Sequence, residues 1–463
     1  MSFSGTTFGS ELLIELDRST AVPLHRQLAD GIRDAVRSGR LAPGTRLPST
    51  RVLAGDLGVS RRLVVDAYSH LVAEGFLLSR RGSGTTVALV DSASVAEWGA
   101  IEPARRYDVD FLPGTPDLGS FPRHAWLRSL RQGLAETESD AFGYVDPQGL
   151  AAARVAVSEY LWRTRGVLAN PRCIVLCSGV TQAVALLGQM LRGTATPLAI
   201  EDPCFWLHRL VLAHNGVEPI PVAVDDDGLD VDALLRTSAA AVLTTPAHQS
   251  PTGVVLSASR RTALLDWARS GNLVIEDDYD AEYRYDRAPL GSLQGIAPER
   301  VVYVGSTSKT LAPGLRIGWM VLPAQLVEAA VMAKGLADTG SSVMDQLAFA
   351  QLLSSGRYDR HLRQMRRRYA ARRRALLRAL ARYLPQATVL GAAAGLHLTV
   401  RLPDGCRVDE VVRRAAEQRV RVEPLTPCYA DPASAPAGLM LGYANLTEAQ
   451  LDAGVRALAR TLA

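Results

Sequence analysis

VVYVGSTSKTLAPGLRIGW, residues 301–319, joins an apolar run to a polar Ser-Thr-Ser-Lys turn and then to Pro-Gly-Leu-Arg. An apolar strand that ends in a polar turn delivers its side chains to the edge of a sheet, where α/β folds hold ligands. Lys309 has hydroxyls beside it and Arg316 seven residues on. Such a lysine can form an imine with an aldehyde while its neighbours hold a phosphate. A surface lysine beside a turn is the plainer alternative, and the parts found elsewhere in the chain weigh between the two.

Upstream, LVIEDDYDAEYRY (273–285) ends an apolar run on Asp277 and Tyr279. An Asp there can keep a pyridine nitrogen protonated, and a Tyr hydroxyl can hydrogen-bond a ring phenolate. Earlier, CSGVTQAVALLGQ (177–189) sets Gly179, Val180 and Thr181 at the start of a helical pattern, a ready anion site. EDPCFW (201–206) supplies Phe205 after another apolar run, an aromatic able to stack on a ring or to pack in a core. Between these segments β-branched runs at 173–177, 241–245, 273–276 and 301–304 alternate with helical patterns at 148–164, 181–191 and 257–270. Alternation of that kind predicts a mostly parallel sheet buried on both faces.

The N-terminal part reads differently. Leu24, Leu28, Ile32 and Val36 form a helical stripe, Ser49 or Thr50 can cap a short helix, and Ser60 can cap a third with Leu63, Val64, Ala67 and Leu71 inward. Two short helices around Gly58 are a helix-turn-helix pattern, and FLLSRRGSGTTVAL (76–89) reads as two strands of a wing. Residues 40–86 hold seven Arg against three acids, which accounts for the whole formal charge of +4. Arg61 and Arg62 fall on the first turn of the third helix, Arg51 opens the second, and Arg80 sits on the wing beside Gly82. The first turn of a recognition helix meets base edges in the major groove, so these positions predict contacts with double-stranded DNA.

Length and composition fit two or more globular domains: 463 residues, 48% hydrophobic and 21% charged. Domain boundaries are expected at 1–87 for the winged helix, 88–110 for a linker and 111–463 for the ligand-binding part. Five scattered cysteines predict neither disulfides nor a metal site. With no apolar run of membrane-spanning length, a cytoplasmic protein is expected. Only Lys309 and Lys334 are lysines, so lysine chemistry is easy to localise. RYDRHLRQMRRRYAARRR (357–374) holds nine Arg on a predicted helix, as a solvated face or a second DNA contact.

LAPGTRLPSTRVLAGDLGVSRRLVVDAYSHLVAEGFLLSRRGSGTTVA (41–88) resembles the GntR class of winged-helix regulators. The resemblance implies DNA contacts from Arg51, Ser60, Arg61 and the wing at Gly82, with Leu63 standing where the class usually has Thr. The ordered set after residue 111 resembles fold-type I aminotransferases that use pyridoxal 5'-phosphate. Together the two halves resemble the MocR subfamily, over residues 21–463. That resemblance implies an α/β fold with Lys309 as the Schiff-base lysine, Asp277 at the pyridine nitrogen, Tyr279 at the phenolate oxygen and Phe205 as stacking ring. It further implies Ser306, Ser308 and Arg316 at the phosphate, and Tyr144 reaching the neighbouring subunit's cofactor in a head-to-tail homodimer.

Three positions depart from the enzyme pattern. Met440 stands where aminotransferases carry the Arg that grips a substrate carboxylate, and Met cannot pair a carboxylate. Ser250 replaces the Asn before Pro-Thr-Gly, after His248 and Gln249, and Leu207 stands where a GABA-responsive member would offer Arg. The expected function is therefore a PLP-responsive DNA-binding transcription regulator controlling vitamin B6 metabolism genes, not an enzyme. The alternatives are a regulator that senses an amino compound by transaldimination at Lys309, and an active aminotransferase with an accessory domain.

Overall fold

The structure, a computed structural model, describes residues 14, 16–80, 84–89, 107–286, 290–391 and 393–462. The chain divides into two compact units, Met1–Arg105 and Arg106–Ala463.

In the first unit, helices Leu24–Arg37, Thr50–Asp56 and Arg61–Ala73 are followed by strands Leu77–Arg80 and Gly84–Val87. Ser49 caps the second helix by accepting from the Val52 amide, and Ser60 caps the third by accepting from the Leu63 amide. Such caps satisfy backbone donors that a helix start otherwise leaves open. Leu28, Ile32, Val64, Ala67, Leu71 and Leu77 close into one core, while Val52 faces outward at 54% exposure. The two strands pair antiparallel, with Leu77 opposite Val87 and Arg80 opposite Gly84, which makes the wing.

The second unit is built on an eight-stranded sheet in the order Ile174–Cys177, Gly318–Val321, Val301–Ser306, Leu273–Asp277, Ala241–Thr244, Leu198–Asp202, Ile220–Asp225, Gly228–Leu229. The central pairings, from 301–306 across to 220–225, are parallel. Strand 318–321 runs antiparallel to both its neighbours, and so does 228–229 to its one. These strands carry apolar runs because both faces are covered. Val302 and Val304 pack with Leu186 and Leu187, whereas Tyr303 packs with Trp319 and Leu352 on the other side. Each such side chain withdrawn from water contributes roughly 1.5–3 kcal/mol before entropy is subtracted.

A second, antiparallel sheet consists of Thr388–Leu390, His397–Arg401, Gly438–Gly442 and Glu423–Pro424, an element the sequence left unread. Met440 lies in it, opposite Thr399 and Glu423. Val109–Asp110 pairs in parallel with Val420–Arg421 within this second unit. Between the two sheets in sequence runs the 27-residue helix Arg357–Tyr383, with Tyr358, Met365, Tyr369 and Leu376 inward. Among the described residues no helix is long and apolar enough to cross a membrane.

Candidate functional site

Four adjacent parallel strands, 301–306, 273–277, 241–244 and 198–202, end side by side. Their carboxyl-end segments carry Lys309, Asp277 with Tyr279, His248 with Ser250, and Phe205. That is the sheet edge at which open α/β folds bind ligands.

Lys309 is half-buried in the turn that follows its strand. Burial holds its amine below the ordinary lysine value, against the opposing pull of the Asp280 and Asp277 carboxylates. The amine lies against Gly114, whose φ of +72° is left-handed and whose missing Cβ would stand 2.6 Å from Lys309 Nζ. Only glycine serves at such a position. Behind the turn, Tyr358 Oη donates to Thr310 Oγ1 at 2.7 Å, and His361 Nε2 lies 3.0 Å from the Thr310 carbonyl.

Asp277 is buried, and its Oδ1 has no hydrogen-bond partner. Burial, followed by Asp278, Asp280 and Glu201, drives this carboxyl well above its usual value. His208 Nε2 sits 3.6 Å from Asp277 Oδ2 and is kept neutral by burial and by Lys309, its pKa pushed down to about 4. The strand end is fixed from behind: Asp278 Oδ2 accepts from Arg165 Nε at 2.7 Å and from Tyr303 Oη at 2.6 Å. Tyr279 Oη lies 3.1 Å from His248 Nδ1, and that nitrogen is 3.0 Å from Asp280 Oδ2.

Helix Val180–Gly193 begins beside Arg316. Its N-cap Gly179 has φ +97°, and a Cβ there would be 3.3 Å from a terminal nitrogen of Arg316. The same close approach needs Gly318, where a Cβ would meet Gly179 Cα at 2.6 Å. Arg316 donates to the Ser178 carbonyl and is itself left-handed at φ +53°, a conformation that costs free energy in a non-glycine residue. Ser306 closes its strand opposite Gly318, and the Ser308 amide is 3.4 Å from Ser306 Oγ. Val180 and Thr181 form the first turn of the helix, with Thr181 exposed.

Met440 is buried with Leu425 and Cys428. Arg209, the nearest candidate replacement in sequence, is committed elsewhere. Its two terminal nitrogens donate to the carbonyls of Cys428 at 2.7 Å, Pro427 at 2.6 Å and Tyr429 at 2.8 Å.

Of the residues singled out from sequence, Lys309, Asp277, Tyr279, Phe205, Gly179, Val180, Thr181, Ser306, Ser308 and Arg316 all fall on this sheet edge or on the helix start beside it. Tyr144 does not join them and is fully exposed. Sequence reasoning missed Gly114, His208 and Asp280. His208 follows Phe205 by one helical turn, a spacing that puts the two rings 5.2 Å apart and could have been read. In the first unit Arg51, Arg61, Arg62 and Arg80 are exposed. Arg61 Nε reaches Thr50 Oγ1 at 3.4 Å, which draws the first turns of the two helices together. The hydroxyl of Ser60 is engaged in its cap. Gly82 lies outside the described residues.

Residues 24–87 match the gntR family of bacterial regulatory proteins, and residues 114–458 match aminotransferase class I and II. A relative in Rhizobium meliloti, named "Probable rhizopine catabolism regulatory protein MocR", is 34% identical, with 96% of this chain and 95% of that protein covered. The chain belongs to the MocR-type regulators. The pyridoxine biosynthesis transcriptional regulator PdxR of Corynebacterium glutamicum is 31% identical to this MocR-type chain, over 95% of it and 96% of PdxR. Among solved structures, a Pyrococcus horikoshii kynurenine aminotransferase in complex with PMP superposes with a TM-score of 0.71 at 26% identity, covering 78% of the MocR-type chain and 91% of the enzyme. The fold-type I aminotransferase architecture and the GntR-type winged helix expected from the sequence are both present.

Proposed function

We propose that this MocR-type chain is a DNA-binding transcription regulator that holds pyridoxal 5'-phosphate at Lys309 and responds to its occupancy, controlling vitamin B6 metabolism genes. The observation that carries the cofactor is Asp277 Oδ1, a buried carboxylate oxygen with no partner. Buried polar atoms without partners are costly, and a protonated ring nitrogen would satisfy this one. The donor set fits the rest of the group. Gly179, Arg316, Ser306 and Ser308 would hold the phosphate, Phe205 would cover the ring, and Tyr279 would hydrogen-bond its phenolate oxygen. When bound, the group supplies an aldehyde that condenses with an amine and a ring that draws electrons. The chain's own part is to keep the Lys309 amine below its ordinary pKa, ready to react, and to set Asp277 Oδ1 where it would accept from the protonated ring nitrogen. Fully exposed Tyr144 suits a residue that completes the site of a partner in a head-to-tail homodimer.

The signal we infer is occupancy of the site itself. Met440 offers no charge to pair a carboxylate, and Arg209, the replacement that sequence suggested, is spent on three carbonyls. A carboxylate buried without a partner costs several kcal/mol. Sensing of an amino compound at Lys309 is the second reading, favoured by the partial exposure of that residue.

Two substitutions test the two units. Gly114→Ala is expected to weaken pyridoxal phosphate binding at least tenfold by pushing a methyl group onto Nζ, measured by titrating the visible absorbance; equal affinity would remove Gly114 from the site. Arg61→Ala is expected to weaken operator binding by about 1–3 kcal/mol if it reads a base, or to lower the salt slope by about one if it holds a phosphate. A variant that keeps both quantities at their wild-type values contradicts the placement of that helix in the groove.

A further inference from the structure

The helix Arg357–Tyr383 carries a second feature that neither the sheet edge nor the winged helix uses. From residue 360 to 383 it contains no Asp or Glu. Several of its arginines are accounted for: Arg366 donates to the Glu282 carbonyl, Arg368 and Arg372 pair with Asp117, and Arg378 with Glu448. Arg360, Arg363, Arg367 and Arg374 are exposed, and among the described residues none of them has a carboxylate partner. Their spacing of three, four and seven puts all four on one face, away from the buried stripe of Tyr358, Met365, Tyr369 and Leu376. Arg360, Arg363 and Arg367 line a groove together with Gln364 and Arg368.

At 1.5 Å per residue these four guanidinium groups span about 21 Å along a rigid element. A DNA strand presents one phosphate per roughly 3.4 Å of axis, so about six phosphates face such a span. Like charges at these spacings repel one another, and a polyanion relieves that repulsion. The exposed stripe offers no aromatic or apolar anchor. A protein interface centres on such anchors, and single-stranded nucleic acid needs rings to stack on. Guanidinium groups alone suit the phosphate backbone of a duplex.

We propose that this stripe is a second, sequence-independent contact surface for double-stranded DNA, on the aminotransferase-like unit. It rests on the DNA-binding reading of the first unit only in taking duplex DNA as the polyanion at hand. The stripe adds affinity and salt dependence on long fragments, while base recognition stays with the winged helix.

The test is a salt titration, from about 50 to 200 mM, of full-length protein on a mixed-sequence duplex of about 60 base pairs. The variants are R360Q/R363Q/R367Q/R374Q, the same four positions as Lys, and R61Q, each first checked for an unchanged thermal midpoint. At about 0.9 per phosphate contact, the Gln variant is expected to flatten the log–log slope by three to four units. The Lys variant, which keeps the charges, is expected to hold the wild-type slope. An unchanged slope in the Gln variant overturns the proposal and leaves an acidic protein face as the occupant of the stripe. R61Q separates the two readings, because it reports on the winged helix alone. Loss of slope there with none in the Gln variant removes the stripe and keeps the first unit's role. The reverse pattern keeps the stripe and contradicts the winged-helix contact.

Discussion

Lys309→Ala is expected to abolish the visible absorbance that the wild-type protein acquires on addition of pyridoxal phosphate. The loss should be complete, because the chain has a single other lysine and that one is engaged. Lys334 is buried, with Nζ 2.6 Å and 2.8 Å from the two carboxylate oxygens of Asp338 and 3.1 Å from Ser341 Oγ. Its three donors are therefore satisfied, and it cannot take over without breaking that ion pair. The circular dichroism of the variant should match wild type, since Lys309 lies in a turn outside the helices and strands that build the core. Retention of the absorbance in the folded variant would mean that the lysine has been misassigned.

Arg165→Ala should be the most damaging single change to the second unit. Arg165 and Asp278 are both buried, and the guanidinium also donates to the Leu290 carbonyl. Removing the arginine leaves the Asp278 carboxylate in the interior beside Glu276 and Asp277, which burial already drives above their ordinary values. Breaking one side of a buried pair typically costs about 3–5 kcal/mol. Denaturant unfolding read from the second unit should show that loss, while Arg165→Ala paired with Asp278→Asn should recover part of it by removing the stranded charge. A single-variant loss below about 1 kcal/mol would place this pair with exposed ones, contrary to its burial.

The parts of the fold that sequence made legible are those with a local signal. Strands 174–177, 241–244, 273–277 and 301–306 read as continuous apolar runs because both faces of the sheet are covered, and Ser60 announced its helix by its cap. Strand ends were less legible: the apolar run stops at Val304, yet Gly305 and Ser306 stay in the ladder by pairing with Trp319 and Gly318. The antiparallel sheet holding Met440 was not read because its central pairing, His397–Arg401 with Gly438–Gly442, joins segments far apart in sequence. Gly114 was invisible for the same reason, since its need for glycine arises from a lysine 195 positions away. The commitment of Arg209 to three carbonyls near residue 428 likewise has no local signature, and it removes the one replacement for the missing carboxylate partner that sequence suggested.

We propose that the cofactor's presence, and not an amino acid's, is the signal passed to DNA. This is tested most directly by operator binding of one preparation in three states: stripped of pyridoxal phosphate, loaded with it, and loaded then titrated with GABA and a panel of amino acids. Loading is expected to change the affinity or the footprint, because a ligand shifts a conformational equilibrium only by what it gains in one state over the other, and Asp277 gains its partner only in the loaded state. The titration is expected to add little. Identical binding by the stripped and loaded forms, with a large response to one amino acid, would contradict the claim and establish sensing of an amino compound in its place.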